Sequence, residues 1–262
     1  MRAIWKGSIS FGLVVIPVKL YPGTIDVSLD LDLLHKKDKS PIRYARICKA
    51  DGREIPYEDT VKGYEYEKGD YVILTDEDFE RANAAQTKTI EIQRFGHLRD
   101  IDPVYFEKSY YLEPDSGAEK AYALLRDALD QSNVVALATF VFRNREHVGI
   151  VRVKDNALLL TQLRWHSEIR PVDISKPATR VSRSEMEMAL ALIDQMTGKL
   201  HPEDYEDTYT DELKRVIKEK VSGKTPRRKG KTPIPTRGKD LEELLRKSLK
   251  SPRKHDVRKA RA

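Results

Sequence analysis

The sequence predicts a mixed, β-rich α+β chain: an antiparallel β-barrel, then a helical arm, then a basic tail. Three observations predict it. The opening alternates Ile9, Phe11 and Leu13 with Ser8, Ser10 and Gly12, which is the period of a half-buried strand. Residues 134–142, 147–154 and 157–164 are strand-like and joined by the short turns 143–146 and 155–156, as in an antiparallel meander. From residue 221 onward there are 15 Lys/Arg against 4 Asp/Glu, a net of +11 in a chain whose total is +6. The first 220 residues therefore carry about −5, the balance of an ordinary soluble body, and only the tail announces a polyanion.

Element by element, the opening strand turns apolar on both faces at Val14-Val15-Ile16 and meets Pro17, which cannot donate to a ladder; a bend at a barrel corner suits this best. A secretory leader is a poor reading of the same stretch. Pro17 and Lys19 interrupt the apolar run and no small-residue cleavage site follows. The expectation from the residues is a soluble, intracellular protein. Residues 22–75 carry turn signals at Pro22-Gly23, Lys39-Ser40-Pro41, Ala50-Asp51-Gly52 and Lys68-Gly69-Asp70. Between them, 42–47 and 71–74 look like strands. Thr75 to Asp78 is a capping box opening a short helix that ends near Ala85. Residues 89–95 and 105–112 are strand-like, and 118–131 is helical with Ala121, Leu124, Leu125, Ala128 and Leu129 on one face.

After the meander, Ser182 to Glu185 is a second capping box. The helix behind it should bury Met186, Ala189, Leu190, Ile193 and Met196 and stop at Gly198. A further helix over 211–221 places Leu213, Val216, Ile217 and Val221 on one face before Gly223. Residues 224–239 are rich in Pro, Gly, Lys and Arg, the composition of a disordered linker. Residues 240–249 then present Leu241, Leu244, Leu245 and Leu249 on a short amphipathic helix, too short to stand alone and suited to a partner. The domains expected are a barrel core over 1–181, a helical arm over 182–222 and a basic tail over 223–262.

Chemistry looks absent. Gly7 and Gly12 have phosphate-loop spacing, but Leu13-Val14 stand where Lys-Ser/Thr is needed; Gly223-Lys-Thr and Gly230-Lys-Thr lack the upstream glycine and strand. The six histidines are isolated, and the single Cys48 excludes both an intramolecular disulfide and a thiolate zinc site. The pairs Asp30/Asp32 and Asp100/Asp102 sit in turn-like surroundings without a Lys or His to complete a metal site. No catalytic residue, metal or cofactor is expected.

The opening Arg2-Ala-Ile-Trp-Lys-Gly-Ser-Ile-Ser-Phe-Gly-Leu13, followed by Ile16-Pro-Val-Lys-Leu-Tyr21, closely resembles the N-terminus of the bacterial Ku family. Similar blocks recur at 33–38, 41–44, 61–66, 71–78, 110–114, 164–170 and 240–249. The resemblance implies a ring-shaped homodimer that binds broken DNA ends without reading sequence. Each barrel would extend a bridge, within about 24–72, around the duplex, and the arm would clasp the second copy. It also implies recruitment of an ATP-dependent DNA ligase-polymerase in non-homologous end joining, with Leu241, Leu244, Leu245 and Leu249 as the docking face. Expected DNA contacts are Lys36, Lys37, Arg43, Arg46, Lys49 and Arg53, then Arg143 and Arg145 on a hairpin tip, then Arg227, Arg228, Lys229, Lys231, Arg253 and Lys254 in the tail. Two competing readings are an architectural coater that binds DNA through its tail and a metal-dependent nuclease using Asp100 and Asp102.

Overall fold

The computed structural model describes residues 2–82, 88–143, 145–172, 174, 181–223 and 241–250. The chain divides into two compact units, Met1–Val172 and Asp173–Ala262.

The first unit is built on a closed seven-stranded barrel. Its strands are β1 (Trp5–Phe11), β2 (Val14–Pro22), β5 (Thr89–Gly96), β6 (Phe106–Pro114), β7 (Val135–Phe142), β8 (Arg145–Lys154) and β9 (Ala157–Leu163). Around the barrel the order is β1-β2-β6-β9-β8-β7-β5. Every neighbouring pair is antiparallel except β1 and β5, which run parallel and close the ring. Alternation along each strand fills the interior. Ile9, Ile16, Val18, Leu20, Ile90, Leu112, Phe140, Val151, Leu158 and Leu160 form one buried cluster, joined by Tyr122, Leu125 and Leu129 from helix α2 (Glu119–Ser132). Burying each of the larger aliphatic chains contributes about 1.5–3 kcal/mol. Strand β9 is buried on both faces, because Leu163 joins Val135 and Ile150 in a second cluster packed by Tyr105 and Phe106.

The opening stretch is a hairpin and not one bent strand. Gly12 takes φ 58° at the first position of a two-residue loop between Phe11 and Val14, as a type II′ turn requires. The loss of apolar alternation after Leu13 therefore marks a turn. Pro17 lies within β2 opposite Ser8, just before the β2–β6 ladder begins at Val18, so its missing N–H costs that ladder nothing. Gly7 has a different reason. A Cβ there would stand 2.1 Å from the Lys88 carbonyl oxygen, which accepts the Ser8 N–H at 2.9 Å where β5 approaches β1. Gly7→Ala is expected to cost about 2 kcal/mol by prising apart the one parallel seam, read as a lowered urea midpoint at unchanged slope.

The barrel meander and the capping boxes match expectation, with helix α1 (Asp76–Ala82) following Thr75 and helix α3 (Arg183–Met196) following Ser182. Ser182 N–H donates to Glu185 at 2.7 Å and Glu185 N–H to the Ser182 hydroxyl at 3.2 Å. Several details differ. Residues 42–47 are not a strand: only single bridges, Leu34 to Pro41 and Ile47 to Glu54, mark that region, because no neighbour offers a ladder. A strand not expected, β3 (Lys62–Glu67), pairs with β4 (Asp70–Leu74) as a separate two-stranded sheet. In α2 the buried face is Tyr122, Leu125 and Leu129, while Leu124 is 64% exposed; a tyrosine replaces a leucine in the phase of the stripe.

The second unit holds α3, α4 (Thr208–Val221) and α5 (Leu241–Lys250). Here the expected burial fails. Met186, Leu190 and Ile193 are 49%, 57% and 61% exposed, Met196 is exposed, and the half-buried residues of α3 are Glu185, Met188, Ala189 and Leu192. In α4, Leu213 and Val216 are half-buried but Ile217 and Val221 are exposed. Helix α3 ends at Thr197, whose hydroxyl donates to the Ile193 carbonyl, and not at Gly198; Gly223 does close α4, with φ 75° and its N–H on Lys220. Among the described residues no helix is long and apolar enough to cross a membrane.

Candidate nucleic-acid interface

Strand register places three features at one rim of the barrel. Pro22 ends β2 opposite Tyr110, Ile90 near the start of β5 faces Phe140, and Phe142 pairs with Arg145 across the β7–β8 turn. From this rim the chain makes an excursion over 23–82 that holds β3, β4 and α1. No residue of it is buried.

Two turns shape the basic part of that excursion. In the first, His35 N–H donates to the Ser40 carbonyl at 2.8 Å and Lys39 takes φ 63°. The Asp38 carboxylate accepts the Ser40 N–H at 3.0 Å and lies 2.8 Å from the His35 ring nitrogen. These bonds, the backbone one first, hold the Asp38 carboxyl below the usual range. Lys36 and Lys37 are displayed at its tip. In the second turn, Cys48 N–H donates to the Arg53 carbonyl at 2.8 Å, Gly52 takes φ 73°, and Lys49 is exposed. Between them Arg43 pairs with Glu54 at 3.1 Å and Arg46 lies over the Tyr57 ring at 4.8 Å, while Arg53 meets Asp51 at 3.6 Å.

Residues 36–53 thus hold seven Lys/Arg and two Asp/Glu, between acidic flanks. Exposed ion pairs such as Arg43–Glu54 are worth about 0–1 kcal/mol, so these cations can exchange carboxylate for phosphate at small cost. The six residues expected from sequence in this stretch are exposed, in two adjacent turns and the segment between them.

Arg143 and Arg145 lie elsewhere, at the rim. The Arg143 guanidinium sits 5.2 Å from the Phe142 ring, and its charge partly offsets the burial that pushes the Tyr110 phenol up. Both arginines line a recess of about 590 Å³ with Lys62, Asp76, Phe79 and Glu80. Lys62 is a cation that sequence reasoning missed; an isolated lysine in an alternating, fully exposed strand gives no signal. Arg227, Arg228, Lys229, Lys231, Arg253 and Lys254 lie outside the described residues. On α5, Leu245 and Leu249 are half-buried and Leu241 and Leu244 exposed.

The carboxylates considered for a nuclease have other work. Asp100 accepts the His97 N–H at 3.2 Å and Asp102 the Val104 N–H at 2.9 Å, each closing a short turn. Among the described residues no group of three or more His, Cys, Asp or Glu could hold a metal ion.

A family model described as the Ku70/Ku80 beta-barrel domain matches residues 10–188, from within β1 to within α3. The chain belongs to the Ku family. It is similar to proteins named non-homologous end joining protein Ku from several organisms. Identity is 44% to that of Opitutus terrae, covering 95% of this chain and 91% of the relative. It is 39% to that of Pseudomonas aeruginosa, covering 95% and 88%. For Symbiobacterium thermophilum it is 42%, covering 96% of this chain and 63% of a longer relative. As a prokaryotic Ku, the chain binds DNA ends in double-strand break repair by non-homologous end joining and is not an enzyme. The turn-closing roles of Asp100 and Asp102 agree with that, and the nuclease reading falls away.

Proposed function

We propose that two copies of this Ku chain close a ring that a duplex enters only from its terminus. The observation that carries the reading is the excursion over 23–82, which exposes Ile25, Leu31, Leu33, Tyr44, Tyr64 and Tyr71 and buries nothing. Sixty residues without a core of their own need a surface supplied from outside. A second copy and the DNA supply it, with the excursion acting as the bridge over the helix. The exposed stripe Met186, Leu190 and Ile193 on α3 gives the arm its clasp on the other protomer. A two-fold axis lets identical subunits grip both strands alike.

Lys36, Lys37, Arg43, Arg46, Lys49 and Arg53 face the phosphates within the hole, and Arg143 and Arg145 meet the backbone at the rim. Phosphate contacts carry no sequence information, so binding is sequence-independent and strongly salt-dependent. Helix α5 docks the ATP-dependent ligase-polymerase, and the basic residues around it add non-specific affinity. The deciding experiment compares retention on linear DNA with retention on covalently closed circles at moderate salt. Linear DNA should hold the protein and circles should not. Equal retention would favour the coating mode driven by the tail. Leu190→Glu with Ile193→Glu should convert the dimer to a monomer in light scattering and abolish end retention while the barrel stays folded.

A further inference from the structure

Helix α3 has two apolar faces, and one of them is occupied. Its half-buried positions Glu185, Met188, Ala189 and Leu192 recur at helical spacing on one side. Helix α5 packs against α3, and its own half-buried positions, Leu245 and Leu249, are one turn apart. The open stripe of Met186, Leu190 and Ile193 lies roughly a third of a turn round the helix at ~100° per residue. The seat of α5 and the stripe assigned to the dimer are therefore separate surfaces. Helix α5 is divided in turn, with Leu245 and Leu249 sheltered and Leu241 and Leu244 exposed.

Ten residues make a marginal helix in water. The pairs Arg246–Glu242 at 2.9 Å and Lys247–Glu243 at 2.6 Å are exposed and contribute tenths of a kcal/mol each. Contact with α3 is what the isolated helix lacks.

We propose that the α3–α5 contact is a latch, in which α3 shelters half of the leucine face that the partner must take whole. The inference rests on the reading of α5 as the docking helix. Latch and dock compete for Leu245 and Leu249, so the apparent affinity for the ligase-polymerase is the intrinsic one multiplied by the fraction of chains whose α5 is free. With about nine chains in ten latched, roughly tenfold of the affinity is masked.

The test uses full-length protein with Met188→Glu and, separately, Leu192→Glu, both on the α3 seat, leaving α5 and the Met186–Leu190–Ile193 stripe untouched. In the wild-type chain the amides of α5 should be protected from hydrogen exchange. In either variant that protection should vanish, with barrel amides unchanged as the control for folding. Binding to the purified ligase-polymerase should tighten about tenfold, with DNA-end retention and dimer mass unaltered. Wild-type α5 amides that exchange at the rate of an unstructured peptide would overturn the latch. So would unchanged ligase affinity in both variants when deletion of 241–250 still abolishes binding. If that deletion leaves ligase binding intact, the docking reading fails and the latch falls with it.

Discussion

Arg43→Glu, Arg46→Glu and Lys49→Glu combined are expected to lower affinity for a linear duplex by on the order of a hundredfold or more at physiological salt. The larger effect is on the salt dependence. Each phosphate neutralised by a cation adds about 0.9 to the slope of log affinity against log salt. Three contacts on each of two copies would remove about five from that slope, whereas three contacts on one copy would remove about three. The measurement therefore also counts the protomers that grip. Fluorescence anisotropy over a salt series reads it directly, with the single reversal Lys120→Glu on the exposed side of α2 as a control away from the excursion. A slope that the triple variant leaves unchanged would remove Arg43, Arg46 and Lys49 from the DNA path. The three residues are exposed, and the Arg43–Glu54 pair is a weak surface one, so the fold should survive the change.

Tyr122→Phe is expected to destabilise the barrel by about 3 kcal/mol, a large effect for the loss of one atom. The Tyr122 hydroxyl donates to the Leu112 carbonyl at 2.7 Å and accepts the Leu158 N–H at 2.7 Å. Leu112 and Leu158 face each other where β6 and β9 pair. The phenol thus inserts between two strands at the end of their shared ladder and ties α2 to both. Without it a buried carbonyl and a buried N–H lose their partner, each costing about 1–3 kcal/mol. Burial pushes the phenol up, with the Leu158 N–H opposing, so the neutral hydroxyl is the form that donates. Urea unfolding followed by circular dichroism checks the prediction; a midpoint within error of wild type would show that water replaces the hydroxyl. DNA-end affinity of the folded variant should be unchanged.

The barrel strands were legible because their alternation has a cause: one face of β7 carries Ala136, Ala138, Phe140 and Phe142 into the core. Capping boxes were legible for the same reason, a local bond between residues three apart. What escaped was whatever depends on a neighbour. Strand β3 exposes both faces, so Tyr64 and Tyr66 alternate with charges and no buried side exists to read. Residues 42–47 have strand-like composition but no strand beside them. The apolar stripe of α3 was read as buried, and in the single chain it is bare; composition records that a face is apolar, not what covers it. Of the cations proposed to meet DNA, the six between 36 and 53 stood out by charge density, while Lys62, beside Arg143 and Arg145 at the rim recess, had no such signal. Tyr122 was missed because a phenol in a leucine phase looks like an interruption of the pattern.

The parallel seam between β1 and β5 also sets the order of assembly. Strand β1 is synthesised well before its parallel neighbour, which spans Thr89 to Glu91 at the points of contact. The hairpin of β1 and β2 must therefore wait, with both edges unpaired, while the whole excursion is synthesised. Once β5 arrives, closing the long loop costs entropy that grows only logarithmically, about 0.6 kcal/mol for each doubling of its length. Insertions or deletions over 23–82 should accordingly leave barrel stability almost untouched. Evolution is then free to resize the excursion without renegotiating the scaffold that carries it.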